Sequence, residues 1–413
     1  MIETKFKDWH NVTIGNLGST YNGLTGKKAS DFGHGVAKYV PFINVIYNPI
    51  IDVNSLCCVD VKPSEYQNAV IKGDLLFNTS SETPEEVAMC SYVNIDIQNL
   101  YLNSFCFGFR LNDSNVSGLF LSYLFRSEFG RSLMLELAQG STRYNLQKKK
   151  FLQAELHIPQ ILAEQERIAE ALSDVDTLIK ELDALIEKKR MVLKATMQDL
   201  LTARRRLPGF SEPWKTIKLA NEGISFSGLT GKSANDFGKG KGLFVTFVNV
   251  IYNTIINPNL FQKVDIRPGE NQNNVLIGDL LFNTSSETPE EVGMCSMVNI
   301  DLPNLYLNSF CFGYRIKSNN LDPLFLAYLL RSAIGRNIMT KLAQGSTRFN
   351  LPKKKFLKTN IFIPTSLTEQ QAIAEILSDM DSEIAELEKK KEKYTSIRQG
   401  MMQQLLTGKI RLI

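Results

Sequence analysis

Histidine is scarce in this chain of 413 residues, which has only His10, His34 and His157. Cysteine is nearly as rare, with six residues and no CxxC pair, so the usual zinc and dithiol spacings are missing. Reduced, mostly buried thiols without disulfides are expected, in a cytoplasmic protein with no leader sequence. No apolar run approaches the length that crosses a bilayer, so a soluble, membrane-free protein is expected. The charge is close to balance, with a formal net value of +4. That excludes a general polyanion binder while leaving room for a local basic face.

The most informative stretch is Leu162 to Thr202. Its apolar residues Ile168, Leu172, Val175, Ile179, Leu182 and Ile186 alternate steps of four and three, the seam of a coiled coil. A helix of about 40 residues is roughly 60 Å long, more than one compact domain needs to bury. Its partner lies in the same chain, because Ile373, Leu377, Met380, Ile384 and Leu387 repeat the stripe 205 positions later. The offset holds without a gap from Thr4–Pro208 to Gly209–Ile413, as GLTGK at Gly23 and Gly228 and AQGSTR at Ala138 and Ala343 show. One unit is written twice.

Four segments follow: globular block one (1–159), a long helix with its linker (160–208), block two (209–364) and a second long helix (365–413). An α+β architecture is expected, with two tandem-repeated α/β blocks separated by two long antiparallel helices that form an intramolecular coiled coil. Antiparallel helices imply a pseudo-twofold axis and inverted copies of the blocks. DNA has the same local symmetry, and dimeric readers use it on spaced, inverted half-sites.

Within block one the segments Tyr39–Tyr47, Asp74–Phe77, Met89–Asp96 and Tyr101–Arg110 read as strands of one curved sheet, as does Phe244–Tyr252 in block two. Leu119–Leu137 reads as one helix stopped by Gly140, and Phe151–Ile158 as a final strand. The polar run Asn78–Glu86 reads as a surface loop. A capping box is expected at Thr368 and Gln371 in copy two, where copy one has Ala163.

GLTGKS at Gly228 lacks the first glycine of a phosphate loop, since Phe226 stands there, and is a glycine turn in which Lys27 and Lys232 are candidates for phosphate. No histidine recurs in both copies, no metal cluster is evident, and neither an adenine-methylation motif nor an acid-acid-lysine nuclease set is found. Asn78–Glu86 is identical in the two copies, which fits recent duplication as well as function. Its Thr79, Ser80 and Ser81, with Thr284, Ser285 and Ser286, have hydroxyls suited to phosphates or base edges, and Glu82 suits cytosine N4. The turn Gln139, Ser141, Thr142 and Arg143, repeated as Gln344, Ser346, Thr347 and Arg348, suits bidentate contacts to adenine and guanine. Beside it stand Lys148 and Lys149, and in copy two Lys353 and Lys354, suited to phosphate.

Glu164, Gln165, Ile168 and Ala169 recur as Glu369, Gln370, Ile373 and Ala374. With LLFNTSSETPEEV, AQGSTR and the helix endings LLT and LLTGK, the chain resembles the specificity subunit of type I restriction-modification systems over nearly its whole length. The resemblance implies that each block is a target recognition domain reading half of a bipartite site in double-stranded DNA. The helices would set the spacing and dock two methylation subunits, and restriction subunits would join the larger complex. S-adenosylmethionine, ATP and Mg2+ would belong to those partners, and this chain would have no catalytic chemistry. The two blocks are nearly alike where the family usually has two different ones, so a near-palindromic site is expected. The rival readings are a self-sufficient methyltransferase or nuclease, and a coiled-coil scaffold without a DNA role.

Overall fold

A computed structural model describes residues 8–413. It divides into two compact units, one ending at Asp183 and completed by Lys389–Ile413, the other Ala184–Glu388. These borders cut through both long helices, unlike the block-and-helix borders read from the sequence. The reason is burial, since each block shares one core with nearby helix segments. In unit one Ile168, Ala169, Leu172, Leu405 and Leu406 join Phe77, Phe107 and Phe151, and in unit two Leu200, Leu201, Ile373, Ala374 and Leu377 join Phe282, Phe312 and Phe356.

The centre of unit one is a four-stranded antiparallel sheet in the order Gly18–Asn22, Cys106–Leu111, Leu75–Asn78, Cys90–Tyr92. Alternation along the strands sends Leu75, Phe77, Phe107 and Phe109 to the helical side and Leu76 and Cys106 to a second core with Val40, Val45 and Leu100. Both faces are covered, which explains why LLFN and CFGF are continuous apolar runs. Phe77 and Phe107 stack at 5.1 Å, and Phe151 meets Phe77 edge-on at 5.2 Å. Phe282 and Phe312 repeat the stack at 5.0 Å in unit two. Smaller sheets take the place of the single curved sheet. Phe32–Val40 lies between Cys57–Val59 and Leu100–Leu102, and Trp9–Thr13 pairs with Glu155–Pro159.

Several sequence expectations are corrected. Tyr39–Tyr47 is not one strand: the strand ends at Val40 and, after Pro41, Phe42–Tyr47 is helical. Asn44, Val45 and Ile46 face inward while Ile43 and Tyr47, one turn apart, are exposed, so burial at helical spacing overrides β-branched composition. Phe247–Tyr252 repeats this, with Thr246 as its cap. In Met89–Asp96 only Cys90–Tyr92 is strand, and Tyr101–Arg110 breaks into two strands around Asn103–Phe105. Leu119–Leu137 is two helices, Gly118–Arg126 and Glu128–Leu137, because Ser127 stops the first and its Oγ caps Gly130 N of the second. A Cβ on Gly130 would sit 2.1 Å from Leu124 O, so the sharp turn needs glycine. Phe151 belongs to the helix Lys148–Gln153, and the final strand begins only at Glu155.

The long helices are Leu162–Leu200 and Leu367–Leu405, 39 residues each. Inside unit one Asp176 pairs with Arg398 and Asp183 with Lys391, while inside unit two Lys189 pairs with Glu383 and Arg206 with Glu369. One number rises as the other falls, so the packed segments are antiparallel. The expected cap at Thr368 is displaced, since Ser366 Oγ accepts from Glu369 N at 3.4 Å. Copy one has Ile161 there and no side-chain cap.

The repeated Glu-Gln pair anchors each helix start. Gln165 donates to Pro159 O at 2.8 Å and accepts from Ser117 N at 2.9 Å, joining helix, strand and helix cap. Glu164 is 2% exposed and pairs with Arg411 of the tail, and fully buried Glu369 takes two bonds from Arg206 of the linker. Tail and linker are equivalent parts of the repeat, and each closes the foot of a block. All six cysteines are free. Among the described residues no helix is long and apolar enough to cross a membrane, and no three metal-ligating side chains converge.

Candidate nucleic-acid interface

The two candidate segments, some 60 residues apart in sequence, meet in one small sheet. Ala138–Gln139 pairs with Tyr144–Leu146, which pairs with Ser80–Ser81. The turn between the first two strands holds Gly140, Ser141, Thr142 and Arg143, all exposed, as is Gln139. Gly140 has φ +129°, and a Cβ there would lie 2.0 Å from Arg143 O, so this tight turn admits only glycine. In block two Ser285–Ser286 pairs with Phe349–Asn350, and Gln344 and Asn350 exchange backbone bonds at 2.9 and 2.8 Å. Gln344, Ser346, Thr347 and Arg348 are exposed.

Arg143 is held but not used up. Its Nε donates to Ser80 Oγ at 3.2 Å and its guanidinium lies 6.0 Å from the Phe105 ring. Lys148 is half-buried, bonds Asn22 Oδ1 and lies 5.2 Å from the Phe107 ring, and burial lowers its ammonium below the ordinary lysine value. Lys353 does the same through Ser227 Oγ at 2.9 Å and Phe312 at 5.9 Å, and burial lowers it too. Lys149 and Lys354 point into solvent. Each block thus presents an exposed glutamine and arginine with a lysine pair beside them, on a turn anchored to a sheet.

The surface-loop reading of Asn78–Glu86 holds for Glu82–Glu86, where Glu82, Thr83 and Glu85 are exposed, and fails for Asn78–Ser81. Asn78 is fully buried, its Nδ2 donates to Ser80 O at 3.1 Å and Glu86 O at 2.8 Å, and its Oδ1 accepts from Met89 N at 2.6 Å. Ser80, Ser81, Ser285 and Ser286 are buried strand residues, and Ser81 Oγ donates to Glu86 Oε2 at 3.2 Å. The polarity that suggested a loop is spent on internal hydrogen bonds. These serines support the arginine turn from behind, Thr79 and Thr284 are half-buried, and Glu82 is exposed.

Lys27 and Lys232 are likewise placed inside. Their side chains are 4% and 2% exposed, paired with Glu65 and Glu270, with Lys232 Nζ also donating to Asp265 O at 2.6 Å. Hydrogen bonding from the lysines pulls both glutamates below the usual carboxylate range. These ammonium groups fasten the GLTGK turn and leave no free face for phosphate.

Phe105 and Phe310 were missed by the sequence reading. They are 58% and 59% exposed; Phe105 stands beside the Arg143 guanidinium, and Phe310 is its counterpart in block two. Phe105 N donates to Asn103 Oδ1 at 2.9 Å and Phe105 O accepts from Thr79 N at 2.9 Å, and Phe310 repeats this with Asn308 and Thr284. Alternating apolar residues hid them, and the Asn-Ser-Phe turn signal at 103–105 was the available clue. The blocks differ at a glycine bulge in the strand Phe32–Val40, where His34 and Val36 correspond to Lys239 and Lys241.

A family profile described as "Type I restriction modification DNA specificity domain" matches residues 7–188 and 231–394. The chain is 26% identical to the putative type I restriction enzyme MjaX specificity subunit of Methanocaldococcus jannaschii, covering 95% of this chain and 91% of that protein. It is 23% identical to the type I restriction enzyme EcoKI specificity subunit of Escherichia coli, covering 88% and 80%. Its fold is similar to the crystal structure of the S subunit of a type I restriction-modification system from M. genitalium, with a TM-score of 0.62, 18% identity and 98% and 97% coverage.

Proposed function

Because this chain belongs to the type I restriction-modification DNA specificity family, we propose that each block reads one half of a bipartite DNA site through its arginine turn. The observation that carries this reading is the exposed Gln-Gly-Ser-Thr-Arg turn, present in both blocks and anchored on buried strands. Arg143 and Arg348 supply two parallel donors for guanine, and Gln139 and Gln344 suit adenine. The exposed Lys149 and Lys354 neutralise phosphate, which gives affinity without sequence information. Since the turn residues are the same in both blocks, the half-sites are near-identical and the site is near-palindromic. The oppositely directed long helices set a fixed gap between them.

In this reading the chain recognises DNA and does no chemistry itself. Two methylation subunits dock on the long helices and use S-adenosylmethionine, and restriction subunits join with ATP and Mg2+. The complex acts in the cytoplasm. Mapping methylated adenines in the host genome, with and without this gene, tests the proposal. Two like half-sites at constant separation, lost with the gene, are expected; two unrelated half-sites would overturn the near-palindrome. Methylated or cut DNA made by the pure chain with S-adenosylmethionine and magnesium would instead establish the enzyme reading.

A further inference from the structure

The duplication supplies an internal control, because a side chain and its counterpart 205 positions away meet matching surroundings unless one has changed. In unit one Tyr123 Oη donates to Asp176 Oδ2 at 2.9 Å, and the same carboxylate pairs with Arg398 of the second long helix. In unit two Tyr328 Oη donates to Asp381 Oδ2 at 2.7 Å, so phenol and carboxylate keep their arrangement. The guanidinium does not. At the equivalent place, on the first long helix, stands Leu193.

Unit two has an open cleft of about 470 Å³ at this point, lined by Leu193, Tyr252, Thr254, Tyr328, Asp381 and Glu388 among others. That volume falls in the range of sites that seat a ligand group. Asp381 has no lysine or arginine within ion-pair distance among the described residues, and its burial pushes the carboxyl above its ordinary range. Two of the cations nearby are otherwise engaged. Arg190 is bound to Glu187 and Glu388, and the buried Arg331 donates to Cys295 O at 2.8 Å and Ile251 O at 2.8 Å. Lys194 at the rim is exposed to water.

We propose that this cleft is a socket for an arginine side chain of a docked methylation subunit, which gives Asp381 the guanidinium that Asp176 takes from Arg398. Arginine fits better than lysine because its planar fork can bond the carboxylate and lie against an aromatic ring, and Tyr252 is 71% exposed at the cleft. The two units, nearly alike in sequence, therefore offer different docking chemistry: one socket is filled from within the chain and the other from outside. The partner's identity rests on the function proposed above, but the socket itself does not.

The test uses the full chain and no DNA. Leu193→Arg fills the socket from inside and Asp381→Asn removes its charge, and each is expected to weaken calorimetric binding of the purified methylation subunit by about tenfold or more. Unchanged affinity in both variants overturns the proposal. Arginine methyl ester then separates the socket from the partner. It is expected to shift the nuclear magnetic resonance signals of Tyr328 and Asp381 in the wild type and not in Leu193→Arg, and Arg398→Leu should open a second responsive site at Tyr123. The same response in wild type and Leu193→Arg excludes the socket, whereas a response limited to the wild type together with no binding of the methylation subunit refutes only the partner.

Discussion

Replacing Arg143 and Arg348 by alanine separates recognition from stability. Both guanidiniums are exposed, and Arg143 keeps only the bond to Ser80 Oγ at 3.2 Å and a distant aromatic contact. Loss of one such bond at the surface costs the fold about 1 kcal/mol or less. On DNA each bidentate contact to guanine contributes about 1–3 kcal/mol of discrimination, so the double variant loses roughly 2–6 kcal/mol. That is a drop of about 30-fold to 10⁴-fold in specific affinity. Fluorescence anisotropy of the assembled complex on its methylated duplex and on a scrambled one measures this, with thermal unfolding as the control. The salt dependence of specific binding should hardly change, because a base contact displaces few counterions. An unchanged specific affinity, or an equal loss on the scrambled duplex with a shallower salt slope, would refute base reading by these residues.

Glu164→Ala leaves Arg411, 15% exposed, with only Asp8 at 3.5 Å, and should cost about 3 kcal/mol in urea unfolding, with much of it regained in the double variant Glu164→Ala, Arg411→Leu. Additive losses would show that the pair is not coupled. For Asp381 the folded-state carboxyl titrates above its unfolded value, so the native state holds the proton more tightly and stability falls as pH rises through the carboxylate range. Asp381→Asn should therefore gain on the wild type between pH 4 and 7 in melting experiments, and a parallel course of the two curves would contradict the burial argument. Thiol titration should label exposed Cys57 quickly and Cys58 more slowly, whereas Cys90, Cys106, Cys295 and Cys311, whose thiols burial pushes up, should react only after unfolding. Rapid labelling of all six in the native protein would count against the burial of these four thiols.

The duplication, the long helices and their pairing were legible because they are periodic. A seam at alternating steps of three and four, and an offset of 205 that never slips, are properties of the string itself. The arginine turn was legible for a related reason, since glycine between short polar residues and a basic run has few buried uses. Asn78–Ser81 and Lys27 misled because residue type reports polarity and not where the polarity is satisfied. Asn78 bonds Glu86 across 8 residues of chain and Ser80 meets Arg143 across 63, and Lys27 finds its partner in Glu65. Phe42–Tyr47 misled because β-branched residues follow whichever surface buries them.

Sequence alone determined that one unit occurs twice, that two long helices run in opposite directions, and which turn is repeated with a glutamine and an arginine. Only the tertiary structure decided that Ser80 supports Arg143 from behind, that Phe105 stands at its side, and that Asp381 lacks the cation its twin has. Periodicity and composition are local properties of a chain, whereas burial and partnership depend on residues that folding brings together from distant positions.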